Sequence, residues 1–330
     1  MINFVIKPGF FRLFLASVVF LHHISSFAIG GMAVLVFFVL SGYWITKMYN
    51  EKYTLKKNTY FAFVISRVLR LFPIFVVASI IQYSTLEFLN IDTKLYLSSL
   101  SNYIMLGYNL TENKLVGPAW SLDIELQYYL LFPFIYLLIK KYNKFLFFIF
   151  GIFLLYTLIN HVSVFNKNIL TYFIYFLIGS TFYIYNLSIN NKFALISIFL
   201  FITVIFFLLF NDSNMNLIIG GRNPSTFFLE HNNKINHFLA WLIIPFALFT
   251  VKNTTNRLDR FFGDYSYSIY LIHWTTATIC GYFFADLFFE KRLIYTAGLV
   301  ILSYLLCGIL TLTIDKYFNN LRNKIHHKIN

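Results

Sequence analysis

The chain has 330 residues, of which 59% are hydrophobic and 21% aromatic, while only 12% are charged. That composition is too apolar for a water-soluble domain, and without alternating strand patterns a transmembrane β-barrel is not expected either. The formal charge of +13 is accounted for by membrane topology and lipid, so nucleic acid need not be invoked as a partner.

Apolar runs long enough to cross a bilayer recur along the chain, and the expected class is an all-α polytopic membrane helical bundle. Spans are expected near 10–29, 32–48, 71–89, 119–139, 145–162, 168–186, 193–210, 237–251, 266–288 and 294–314, about ten transmembrane helices in all. With the N-terminus inside, 19 of the 26 basic residues fall on inner segments, so the positive-inside rule places both termini in the cytoplasm. The two cysteines, Cys280 and Cys307, lie within spans, and no disulfide framework is implied. A signal peptide is the competing reading of the N-terminus, with Ser26-Phe27-Ala28 as its cleavage pattern. Two histidines interrupting the apolar run argue against it.

The polar stretches 50–66, 90–118, 211–236 and 252–264 are short enough to be loops, and a single domain over 1–330 with no appended soluble domain is expected. The run Gly220-Gly221-Arg222-Asn223-Pro224 is built for a turn. Segments 90–118 and 211–236 fall outside and read either as plain connectors or as covers over an outward-facing cavity. Neither a sequence repeat nor a matching pair of broken helices marks the chain as a transporter.

The first span carries Arg12, His22 and His23. Arg12 and His23 are eleven residues apart, close to three helical turns, so they share one face at a separation of about 16 Å along the axis. Ionisable groups inside a membrane are costly and mark function by default. The alternative is that Arg12 snorkels to the headgroups and His23 bonds a carbonyl of a neighbouring helix. His22 lies about 100° round the helix and faces elsewhere.

Arg67 and Arg70, at the cytoplasmic start of the third span, share a helix face and can grip phosphate together, or can be ordinary positive-inside residues. Further on, Gly117-Pro118-Ala119-Trp120-Ser121 leads into the fourth span from outside. Ser121, Glu125 and Tyr129 form a polar stripe at helical spacing. Trp120 suits the interfacial aromatic belt. Glu125 would be costly unpaired, and His23 lies at a compatible depth, so the expectation is that Glu125 orients the imidazole of a His23 general base as the second catalytic residue. The run Gly263 to Trp274 brings His273 to mid-membrane, where it serves either function or helix packing.

Taken in order, five features resemble the acyltransferase-3 family of membrane O-acyltransferases. They are Arg12 with His23, Phe37-Phe38-Val39-Leu40-Ser41-Gly42, the set Arg67/Arg70/Pro73, Trp120-Ser121-Leu122 followed by Glu125, and Ser266-Tyr267-Ser268-Ile269-Tyr270-Leu271-Ile272-His273. The resemblance implies about ten transmembrane helices and transfer of an acetyl group from cytoplasmic acetyl-CoA to a hydroxyl of a glycan or glycan-lipid, such as O-antigen or exopolysaccharide. It implies His23 as the catalytic histidine, Arg12 as its partner on the helix, and Arg67 and Arg70 against the coenzyme. Ser41, Trp120, Ser121 and His273 are further motif residues, and no metal is called for. The implied location is the bacterial inner membrane. Leu35, Val36 and Leu126 stand where many members carry acidic residues. The rival class is a transporter or flippase for glycan-lipid or protons, with Arg12, His23 and Glu125 lining its pathway; a glycan polymerase is a third option.

Overall fold

The computed structural model describes residues 6–54, 59–142, 149, 151–153, 156, 168–220 and 225–328. Among these residues the regular structure is helical, apart from an isolated bridge between Phe27 and Ile219. The main helices are α1 (Pro8–Ile24), α2 (Gly30–Lys52), α3 (Thr59–Phe88), α4 (Trp120–Lys141), α5 (Ile169–Ile184), α6 (Asn191–Phe210), α7 (Thr226–Thr250), α8 (Arg257–Phe283), α9 (Phe289–Leu310) and α10 (Lys316–Lys328). A π-turn, Thr311–Asp315, joins α9 to α10. Much of the span expected at 145–162, and residues 221–224 of the expected turn, lie outside the described residues.

Among the described residues, five helical stretches are long and apolar enough to cross a membrane: Gly30–Lys52, Thr59–Phe88, Gly117–Lys141, Asn191–Phe210 and Phe289–Lys324. Pro8–Ile24 and Ile169–Ile184 are apolar but shorter. The chain is therefore a helical membrane protein. The four stretches read as loops all contain helix: α3 begins at Thr59, short helices span Lys94–Leu97 and Ser101–Ile104, α7 begins at Thr226 and α8 at Arg257. Helices can run past the apolar window when their first turns are capped. Ser225 accepts from Phe228 N (3.1 Å) and Asn256 from Asp259 N (2.9 Å). The expected span 10–29 ends earlier, at Ile24, where Ser25 turns extended.

The chain divides into two compact units, Met1–Glu51 with Phe132–Gly263, and Lys52–Leu131 with Asp264–Asn330. In the first, Asp259 receives Phe10 N at 3.0 Å and so caps the start of α1, where a carboxylate meets the positive end of the helix dipole. Helices α2 and α5 touch backbone to backbone. A Cβ on Gly42 would collide with the carbonyl of Phe176, and one on Gly179 with that of Val39. Glycine lets the two helices approach closely enough for Thr46 Oγ1 to donate to Ser180 Oγ at 2.8 Å. At the start of α2, Asn236 accepts from Met32 N (2.7 Å) and donates to Ala28 O (3.0 Å). Beside Pro245, the Ser197 hydroxyl enters the ladder of α7, donating to Leu242 O at 2.5 Å and accepting from Phe246 N at 3.3 Å.

In the second unit, the buried carboxylate of Asp123 accepts from Gly107 N (3.1 Å), Asn109 N (2.9 Å) and Gln127 Nε2 (2.8 Å). Val116 N donates to the buried Tyr108 hydroxyl at 2.6 Å. These bonds give segment 105–116 a fixed fold against the start of α4. A mostly apolar cavity of about 210 Å3 lies between it and α3, lined in part by Phe75, Ser79, Tyr83, Tyr96 and Asn102.

Candidate functional site

Three helices of the second unit converge on Arg70. Its Nη1 lies 3.1 and 3.0 Å from the two oxygens of Asp315, and its Nη2 lies 2.9 Å from Asp264. The guanidinium also stands over the Tyr267 ring, 5.6 Å from its centroid. A cation buried this deeply needs paired carboxylates to offset its lost hydration, and α8 and the π-turn supply one each. Arg70 is therefore a structural tie, with both terminal nitrogens committed.

Arg67, nearly one turn earlier on α3, is placed differently. Its Nη2 donates to Ser66 Oγ at 3.2 Å, while its buried Nε has no hydrogen-bond partner among the described residues. The two arginines expected to act alike thus divide into a saturated one and one with a spare donor. Both lie inside α3 rather than at its entrance, because the helix begins at Thr59.

The polar stripe of α4 runs to the same place. Tyr129 donates to Glu125 Oε1 at 2.5 Å, and the Tyr129 hydroxyl lies within the electrostatic reach of Arg67 and Arg70. Above it, Ser121 Oγ and Tyr270 OH are 2.6 Å apart, and both bond Pro118 O. A Cβ on Gly117 would sit 2.7 Å from the Trp274 ring. The Gly117–Ser121 motif and the Tyr270–Trp274 motif are thus two sides of one packed joint. Trp120, half-buried, opens α4 immediately beyond the turn Gly117–Ala119. His273 is fully buried, with Nδ1 3.0 Å from Ile269 O on its own helix.

In the first unit, α1 has 17 residues and a length of about 25 Å. Arg12 is in its second turn, with Nη1 3.8 Å from the position of a Cβ on Gly263. His22 and His23 occupy the last turn, their rings edge to face at 4.7 Å. His23 was expected past the middle of a longer span; it lies instead in the last turn of α1, which ends at Ile24. His22 is packed against Gly30, on which a Cβ would lie 2.8 Å from the His22 ring. Ser41 precedes Gly42 in α2, and the close contact of Gly42 with α5 accounts for the glycine of that motif.

His23 and Arg12 belong to one unit, and Arg67, Arg70 and Glu125 to the other. The bond to Glu125 described above comes from Tyr129, its neighbour one turn along α4. Sequence reasoning did not single out Asp264, Asp315, Asn319, Arg322 or Asn236. Asp315 was detectable as an acid at the end of an apolar run, and Asp264 as the acid opening the Tyr-Ser motif.

These features define a multi-pass helical membrane protein with a buried arginine network and a histidine pair at a helix end. A family model described as an acyltransferase domain matches residues 5–312, and the chain belongs to this acyltransferase-3 family. Comparisons with curated sequences and with solved structures return no match.

Proposed function

We propose that the protein is an O-acetyltransferase that moves acetyl from cytoplasmic acetyl-CoA to a hydroxyl of a cell-surface glycan or glycan-lipid. The observation that carries this reading is the buried Nε of Arg67, which has no hydrogen-bond partner among the described residues, next to an Arg70 already held by two carboxylates, in a chain of an acyltransferase family. An unpaired buried donor on a guanidinium suits an incoming phosphate oxygen. Arg12 is proposed as a second basic contact for the donor. The positive-inside count puts these basic residues on the cytoplasmic side, which supports a cytoplasmic donor and a bacterial inner-membrane location.

His23 is proposed as the general base that removes the proton of the acceptor hydroxyl, a role that supplies about 10²- to 10⁴-fold of acceleration. Attack of the hydroxyl oxygen on the thioester carbonyl forms the ester and releases the coenzyme thiol, which takes up the proton. Glu125, held by Tyr129, is proposed as a second catalytic residue, in addition to the His23 imidazole. The Tyr-lined cavity beneath segment 96–115 supports acceptor approach from the outer side.

The test is acetyl transfer by purified protein in lipid nanodiscs, together with NMR of surface glycan from cells with and without the gene. Acetyl-CoA should raise the unfolding temperature of the protein, and acetyl ester signals should vanish from the glycan when the gene is removed. An unchanged glycan and no thermal protection would instead favour the transporter class.

A further inference from the structure

The C-terminal helix carries an arginine that none of the motifs includes. Asp315, Asn319 and Arg322 follow at spacings of four and three, so they share one face of α10 and the turn before it. That face lies on α3. Arg322 Nη2 donates to Asn319 Oδ1, while Asn319 Nδ2 reaches Asp315 Oδ2 at 3.3 Å and Asp264 Oδ2 at 3.4 Å. A continuous ladder therefore runs from Arg322 through Asn319 to the carboxylates that hold Arg70. The π-turn places one extra residue in the backbone ring just before Asp315 and so sets the register of this face.

Arg322 feels the positive charges of Arg70 and Arg67 as well as the negative charges of Asp315 and Asp264. Both carboxylates are committed to Arg70, and Arg322 forms no ion pair among the described residues. Its hydrogen bond goes to a neutral amide. Two guanidinium groups, Arg67 and Arg322, thus stand on packed helices with donor capacity that no carboxylate among the described residues uses. A carboxylate matches one such fork, whereas a phosphate offers at least two acceptor oxygens and up to two negative charges, enough for both.

We propose that Arg322 completes, with Arg67, a two-arginine site for a phosphate group of the acyl donor, with Arg70 and its two carboxylates as the floor. The identity of the donor rests on the coenzyme A reading above; the phosphate chemistry does not. Arg322 lies beyond residues 5–312, the stretch the family model matches, so family membership does not assign this residue.

The experiment measures binding of acetyl-CoA, adenosine 3′,5′-bisphosphate and inorganic pyrophosphate to the full chain in nanodiscs, for wild type, Arg322→Ala, Arg322→Lys and Arg67→Ala. Arg322→Ala should weaken acetyl-CoA binding about tenfold or more, the worth of a charge-assisted hydrogen bond, and Arg322→Lys should recover part of the loss. The ligand-free unfolding temperature should stay near wild type, since Arg322 bonds only a neutral side chain. Acetyl-CoA bound equally by wild type and Arg322→Ala would overturn the inference and leave the coenzyme reading intact. Pyrophosphate or bisphosphate bound in an Arg322-dependent way without acetyl-CoA binding would uphold the site and overturn the coenzyme reading. Failure of all three anions to bind wild type would overturn both.

Discussion

Arg70 and Asp315 form a two-pronged ion pair, with one guanidinium nitrogen 3.0 to 3.1 Å from both carboxylate oxygens. The pair ties α3 to the turn ahead of α10, and it separates two arginines that are alike in sequence. Arg70→Ala should destabilise the protein by about 3–5 kcal/mol, because it leaves two carboxylates without their cation. Arg70→Lys should rescue only part, lacking the fork. Adding Asp315→Asn to Arg70→Ala should recover some stability, and thermal unfolding across the double-mutant cycle checks the coupling. Arg67→Ala should unfold near the wild-type temperature and instead raise the KM for donor.

Gly42 and Gly179 permit the close approach of α2 and α5. Alanine at either should cost about 1–3 kcal/mol or more, since the added methyl meets a backbone carbonyl rather than a movable side chain. Gly298 lies within α9 with nothing within 4 Å of an added Cβ. Gly298→Ala should therefore stabilise by up to about 1 kcal/mol through helix propensity. Unfolding temperatures in one detergent would compare the three, and an unaffected Gly179→Ala would refute the contact.

The two ends of α1 should fail in different kinetic terms. Arg12→Ala should mainly raise the KM for acetyl-CoA, as expected of a contact equal in ground and transition states. His23→Ala should lower kcat and kcat/KM together with donor affinity retained. His22→Ala is expected to lower stability as well, because its ring fills the space above Gly30. A His23→Ala enzyme with wild-type kcat would remove the imidazole from catalysis.

Glu125→Gln should keep the fold and donor binding while slowing transfer, because the amide keeps the hydrogen bond from Tyr129 but loses the charge and basicity. Tyr129→Phe tests whether that bond positions the carboxylate. It should lower kcat while leaving the donor KM nearly unchanged, and equal activity in both variants would make the pair structural.

Cysteines placed at Asn190 and Thr255 should react with impermeant reagent only from the cytoplasmic side, and one at Thr111 only from outside. Background should be low because Cys280 and Cys307 are buried. Labelling of Thr255 from outside would reverse the side assigned to the donor.

Helical membrane class was legible in the sequence because a bilayer imposes long apolar segments and leaves backbone polar groups no partners but their own helix. The ordered motifs, from Arg12 and His23 to His273, likewise carried the family. Sequence periodicity also put Ser121, Glu125 and Tyr129 on one face, since helical spacing alone determines that. It did not foresee that α1 stops at Ile24, where Ser25 turns extended although Phe27, Ala28 and Ile29 continue the apolar run. Nor could it separate Arg67 from Arg70. Their difference arises from Asp264 and Asp315, which lie about 200 and 250 residues away along the chain and reach α3 only through tertiary packing, because electrostatic pairing depends on distance in space and not on separation in sequence.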